Sequence, residues 1–208
     1  MGKKLGTTSY AILGLLALRD WTTYELAKQM ERGVGDMWSA ARSVVYAEPK
    51  ELVVRGLATV RQEQAGRRPR AVYSITDEGR RTLAEWLVAP GRGPALEFEG
   101  LLKVLLAPDD DPAAPMSSIR AAAQWATDVQ NVGRTVAGEY LAGEGPFPDR
   151  MPIVALTFAF LWDFTELVRG WAAWAEETVG GWSDEVSGSS ARQPFLRALQ
   201  GTTAIPPM

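Results

Sequence analysis

Apolar positions in the first ninety residues follow helical spacing, switch to alternation, and return to helical spacing. Ile12, Leu13, Leu15, Leu16 and Leu18 lie behind Thr8 and Ser9, either of which can cap a first helix ending at Leu18. Asp20-Trp21-Thr22-Thr23 predicts a turn, and Thr22 or Thr23 starts a second helix to about Arg32, with Glu25 suited to its first turn. Gly33-Val34-Gly35 breaks that helix. Ser39 to Arg55 predicts a third, with Val44, Val45, Leu52 and Val53 as its apolar positions and Gly56 just past its end. Leu57–Glu63 and Ala71–Thr76 alternate apolar and polar around Gln64–Arg70 (QAGRRPR), which predicts two strands joined by a basic turn. Thr76 or Asp77 then caps a fourth helix through about Val88, and Ala89–Pro94 reads as a linker.

The second half carries only helical patterns. A short amphipathic helix is expected over Leu96–Ala107, stopped by Pro108 and three aspartates. Two long helices follow, over Ser117–Leu141 and Met151–Val179, the second apolar nearly all round in its first half. Beyond Gly180, Gly, Ser and Pro dominate, and Phe195–Leu199 is expected to form at most a short helix. The expected division is 1–89, 94–182 and a flexible tail at 183–208. The fold class is mainly α: a winged helix-turn-helix followed by an all-helical domain. Two long helices this rich in Trp, Phe and Leu need more cover than one short helix supplies, so a homodimer is expected.

Composition narrows the chemistry. The 208 residues include no cysteine and no histidine, which removes disulfides, Cys/His zinc sites and histidine acid–base catalysis. Asp109-Asp110-Asp111 point in different directions and read as a solvated helix stop; no metal or cofactor is expected. The carboxylates Asp163, Glu166, Glu176 and Glu177 have no nucleophile beside them, so no enzyme is expected. The basic, then apolar first 18 residues resemble a signal peptide, but Arg19 and Asp20 follow without a cleavage pattern. The apolar run Met151–Trp162 falls short of the roughly 18–20 residues a bilayer requires, so neither membrane nor export is expected and a cytoplasmic location is.

Charge is unevenly divided. Residues 1–90 carry 14 Lys/Arg against 10 Asp/Glu, a net of +4, while residues 91–208 carry 8 against 15, a net of −7. The half containing the third helix and the hairpin is therefore the basic one, as phosphate binding requires. In a winged helix-turn-helix the third helix enters a major groove and the hairpin tip reaches phosphate or the minor groove. Arg42, Ser43 and Tyr46 are the expected groove residues, Arg42 and Tyr46 sharing a helical face; Tyr46 packing on Leu57 or the hairpin is the alternative. Arg67, Arg68 and Arg70 at the tip form the densest positive site, with Lys50 and Arg61 as weaker DNA-contact candidates.

The order of these motifs resembles the PadR family of winged-helix transcriptional regulators. The resemblance rests on ILGLLAL in the first helix, TTYEL for the family's His-Gly-Tyr-Glu-Leu, and Ser43-Val44-Val45-Tyr46 for Gly-Ser-Ile-Tyr. RRPRAVYSITDEGRRTL stands for Arg-Lys-Tyr-Tyr-x-Leu-Thr-x-x-Gly and fixes hairpin, cap and Gly79 together. It covers about 88 residues, and the rest is similar in pattern only, through FEGLLKVLLA and the Trp-rich last helix. A two-fold dimer suits a palindromic operator, and a repressor is expected; the resemblance implies release by a ligand and a Tyr24 near the DNA backbone, with a core position the alternative for Tyr24. Trp125, Trp162, Trp171 and Trp174 are the candidate pocket for a small aromatic effector, against the plainer expectation that they are core. Pro49 stands where the family has a core leucine, and its missing amide predicts a kink or break near Ala47–Lys50. A protein–protein interaction module on the same scaffold is the competing function.

Overall fold

The computed structural model describes residues 4–33, 35, 37–38, 40–65, 68–108, 111–181 and 188–199. It resolves two compact units, Met1–Pro94 and Ala95–Met208. In the first, α1 (Thr7–Leu18) buries Ile12, Leu13, Leu15 and Leu16, and packs on α3 (Arg42–Val54), α4 (Asp77–Val88) and the sheet. Its cap is Gly6 rather than Thr8 or Ser9, because Ser9 sits three residues in and its hydroxyl accepts the Gly6 amide at 3.2 Å. α2 (Thr23–Gly33) starts as a reciprocal cap: the Glu25 carboxylate accepts the Thr22 amide at 2.8 Å, and the Thr22 hydroxyl accepts the Glu25 amide at 3.2 Å.

Asp20–Thr23 is not a simple turn. Trp21–Thr22 forms β1, paired antiparallel with Val72 and Tyr73, and the Trp21 indole donates to the Leu15 carbonyl at 2.7 Å. This pairing orders the sheet β1-β3-β2, where β2 is Ala58–Ala65 and β3 is Arg68–Ile75. Both strands run into the expected basic turn Gln64–Arg70, to an Ala65–Arg68 pair. Pro69 lies within the ladder because β1 reaches only Val72 and Tyr73, so at Pro69 β3 has a partner on one side only, where proline is tolerated.

α3 begins at Arg42, not Ser39, and Pro49 does not break it. Val45, Pro49 and Leu52 form its buried stripe, so the ring takes the core position itself. The lost amide leaves the Val45 carbonyl without its helical donor, a defect of about 3 kcal/mol in a helix interior. Core packing on both sides of Pro49 and a well-formed C-terminus hold the turns in place. That terminus is a left-handed Gly56 (φ +72°), where the Leu57 amide reaches the Leu52 carbonyl at 2.9 Å and the Gly56 amide reaches Val53 at 3.0 Å. The Thr76 hydroxyl then ties three elements: it accepts the Gly79 amide at 3.0 Å and donates to the Gly56 carbonyl at 2.7 Å, while the Thr76 amide meets the Leu57 carbonyl at 3.1 Å. A Cβ on Gly79 would stand 2.1 Å from that Leu57 carbonyl oxygen.

The second unit is α5 (Glu99–Leu105), α6 (Ala113–Leu141), a 3-10 turn at Pro148–Arg150, α7 (Met151–Gly180) and α8 (Gly188–Leu199). α5 starts three residues later than expected, from an extended Phe98 whose ring packs edge-on against Trp171. α6 starts earlier, where the Asp111 carboxylate accepts the Ala113 amide at 3.0 Å; Asp109 and Asp110 lie outside the described residues. Gly188–Leu199 is helical over more than the expected Phe195–Leu199, so residues 183–208 are not structureless throughout; residues 182–187 and 200–208 lie outside the described set. α6 and α7 pack antiparallel: Ile119 meets Ala172, Ala175 and Val179, and Ala122 and Ala126 meet Val168.

The first half of α7 is largely open, with Ile153, Leu156 and Phe160 54–70% exposed. Within Pro148–Gly180, an 18-residue stretch reaches a mean hydropathy of 1.5, so the helix is long and apolar enough to cross a membrane by length and composition alone. The run Met151–Trp162 is the uncharged part of that helix, and Asp163, Glu166, Arg169, Glu176 and Glu177 follow it. On its inner side the helix packs on protein, and Arg120 of α6 bridges Glu176 at 2.7 Å.

Candidate nucleic-acid interface

With Val45, Pro49 and Leu52 turned inward, helical geometry sets Ser43 and Lys50 on the opposite side of α3 and Arg42 and Tyr46 on its flank, and all four are exposed. The Arg42 guanidinium lies 6.0 Å from the Tyr46 ring centroid, one turn along the same face. Tyr46 thus stands beside Arg42 and is 36% exposed. Arg42 also borders a depression floored by Ala27, Met30, Trp38 and Val45, where α2 faces the start of α3.

Tyr24, on the first turn of α2, is 66% exposed. It shares a shallow groove with Thr22, Thr23, Arg70 and Ala71, which brings one helix candidate and one hairpin candidate together. Of the other tip residues, Arg67 lies outside the described residues, and Arg68 is described only as the first residue of β3.

The hairpin arginines carry partners that sequence reasoning missed. Arg61 places Nε and Nη2 on one oxygen of Glu63, at 3.1 and 2.9 Å, and its Nη1 on Asp20 at 2.5 Å and the Ser74 hydroxyl at 3.0 Å. The second Glu63 oxygen takes Arg70 Nη2 at 3.2 Å. Hydrogen bonds from Arg61 and Arg70 hold the Glu63 carboxyl below the usual carboxylate range; those from Ser74 and Arg61 do the same for Asp20. The alternation that places Arg61 and Glu63 on one face was visible in the sequence. The cross-strand Glu63–Arg70 pairing needed the register.

The four tryptophans all lie in the second unit, on α6 and α7. Trp171 packs with Phe98 and the Ile119 cluster, Trp125 meets Phe164, and Trp162 stacks near Phe158 with Arg134 5.5 Å from its ring. Trp174 is 39% exposed. Among the described residues there is no group of three or more acidic, Cys or His side chains that could hold a metal.

Residues 12–85 match the model of the "Transcriptional regulator PadR-like family". Over 80 residues the chain is 35% identical to the "Negative transcriptional regulator PadR" of Bacillus subtilis, covering 38% of this chain and 44% of that protein. Over 97 residues it is 34% identical to the "Probable transcriptional regulator Rv1176c" of Mycobacterium tuberculosis, covering 42% and 50%. The match therefore spans about half the length of these curated relatives. The solved structure of Bacillus subtilis PadR in complex with operator DNA has a similar fold across both units: TM-score 0.70, 21% identity, 85% of this chain and 99% of that one. The same relative in complex with p-coumaric acid aligns at TM-score 0.58 and 18% identity, over 83% and 99%.

Proposed function

Since the chain belongs, through residues 12–85, to the PadR-like family of transcriptional regulators, we propose that it binds operator DNA as a homodimer and represses transcription from it. The observation that carries this reading is the outward row Arg42, Ser43, Tyr46 and Lys50 on α3, backed by a buried stripe that fixes its direction. Arg42 is the residue suited to a base edge or phosphate, and Tyr46 and Ser43 to phosphate oxygens. Tyr24 and Arg70, lining one groove, flank the same backbone from α2 and the hairpin. Arg67 and Arg68 extend the hairpin contact. The relative named a negative regulator supports repression rather than activation.

A second copy is the proposed cover for the apolar half of α7, and a two-fold pair of α3 helices suits half-sites about one turn, ~34 Å, apart. This reading places the protein in the cytoplasm with its DNA. The p-coumaric acid held by the Bacillus subtilis relative supports a small aromatic effector. Trp125, Trp162 and Trp171 each meet another aromatic ring, which favours packing as their role, and with Trp174 they remain the candidate lining for such an effector.

The test is selection from random duplex DNA followed by sequencing, with the wild type beside an Arg67→Ala/Arg68→Ala/Arg70→Ala variant and an Arg42→Ala variant. A palindrome enriched by the wild type is expected. The hairpin variant should bind it more weakly with a shallower salt dependence, and Arg42→Ala should lose about tenfold or more in affinity. No enrichment, with wild type and variants alike, would refute the reading in favour of an interaction module.

A further inference from the structure

The four charged residues on one face of the sheet cancel: Arg61 and Arg70 against Asp20 and Glu63. Their roles are unequal. Arg61 commits all three guanidinium nitrogens inside the cluster, to Glu63, Asp20 and Ser74. It is an anchor, and it fixes the Glu63 carboxylate through a single oxygen. The other oxygen faces Arg70, whose side chain is 53% exposed and lines the groove with Tyr24. Glu63 therefore stands fixed on one side and offers its free oxygen to a cation that a phosphate would also bind.

We infer that Glu63 is a latch on Arg70: in the free protein it holds this arginine by an ion pair that a DNA phosphate must displace. The inference rests on the DNA-binding reading above. Phosphate is the stronger claimant, because it accepts a bidentate guanidinium and the carboxylate offers Arg70 one oxygen. Exchange leaves Glu63 satisfied by Arg61, so no carboxylate is stranded. The latch tempers affinity without removing the contact and favours release of non-cognate DNA, where charge alone holds the protein. Its ionisation is secure at neutral pH, since both arginines hold the carboxyl below its usual range.

The experiment is a two-by-two cycle of Glu63→Gln and Arg70→Ala, with duplex affinity measured from 50 to 200 mM salt and a melting curve for each protein. Glu63→Gln keeps the shape and removes the charge. It should bind duplex about two- to fivefold more tightly at low salt, the range an exposed ion pair supplies. Arg70 reaches the phosphate in both proteins, so the advantage should shrink between 50 and 200 mM only as salt screens the exposed Glu63–Arg70 pair. In the Arg70→Ala background most of the gain should vanish, and the Arg61 anchor should keep every melting curve near the wild type. An equal gain in both backgrounds would mean simple repulsion between Glu63 and DNA and would overturn the latch, as would no gain at all. If none of the four proteins binds duplex, the DNA reading itself fails, an outcome distinct from a flat cycle among proteins that bind.

Discussion

Gly79→Ala tests how tightly the hairpin is joined to α4. The added Cβ would lie 2.1 Å from the Leu57 carbonyl oxygen and 2.8 Å from Ile75 Cγ1, where real Cβ atoms keep at least 3.0 Å. The shortfall to the oxygen is 3.0 − 2.1 = 0.9 Å. Backbone rather than a flexible side chain must yield it. That carbonyl already accepts the Thr76 amide, and Thr76 caps α4 and grips Gly56, so a shift strains three hydrogen bonds at once. Overpacking costs about 1–3 kcal/mol, here at the upper end, and alanine returns less than about 1 kcal/mol of helix propensity. A net loss of about 2 kcal/mol is expected, read by urea unfolding followed by circular dichroism. Gly14→Ala is the control: it lies in α1 with nothing within 4 Å of an added Cβ, and should stabilise by about 0.5–1 kcal/mol. A Gly79→Ala protein as stable as the wild type would refute the close approach of α4 to Leu57.

Pro49→Ala restores an amide for the Val45 carbonyl, worth up to about 3 kcal/mol, and removes two buried methylenes at about 0.8 kcal/mol each. Unfolding in urea should show a gain of about 1 kcal/mol, and a loss would mean the ring's packing outweighs its backbone defect. Glu25→Gln should cost about 1 kcal/mol at pH 7 through the α2 cap. Because the Thr22 amide and hydroxyl hold the Glu25 carboxyl below its usual range, its contribution is complete above the unfolded value near 4.3 and is lost as pH falls through the lower folded value. Melting curves of wild type and Glu25→Gln should therefore converge on acidification below about pH 4; a gap unchanged at pH 3 would show that charge is not what the cap uses. Tyr46→Phe, which keeps the ring beside Arg42, should weaken operator binding by roughly three- to tenfold through one lost phosphate hydrogen bond, without altering the melting temperature.

What the sequence made legible was local. Thr76 as a cap, Glu25 in the first turn of α2 and Gly56 past the end of α3 each act within a few residues, and each stands where the pattern put it. The failures lay where distant pairing overrode local chemistry. Gln64–Arg70 has the Gly and Pro of a turn, yet cross-strand pairing extends both strands into it, as far as Ala65 and Arg68. Trp21–Thr22 is too short for any periodicity to mark, and becomes a strand only because β3 lies alongside. Pro49 reads as a breaker on local rules, and core burial on either side outweighs them. The exposed row on α3 was readable from helical spacing. The partners of Arg61 and Arg70 were not, since they depend on the strand register.

Midway along the α6–α7 pair, an otherwise alanine-rich seam is interrupted by Gln130 and Thr165, each only 2% exposed. Gln130 Nε2 donates to the Thr165 hydroxyl at 3.2 Å and to Glu166 at 2.5 Å, and its carbonyl accepts Arg169 at 3.0 Å. Small apolar contacts tolerate sliding, because one alanine fits against the next nearly as well. A buried amide does not: a slip of one helical turn, about 5.4 Å, would strand it among methyl groups. Two rods of 29 and 30 residues, roughly 45 Å long at 1.5 Å per residue, are thus keyed by this buried amide. A push on one end of either rod must be delivered at the far end of both, without being absorbed as slippage along the seam.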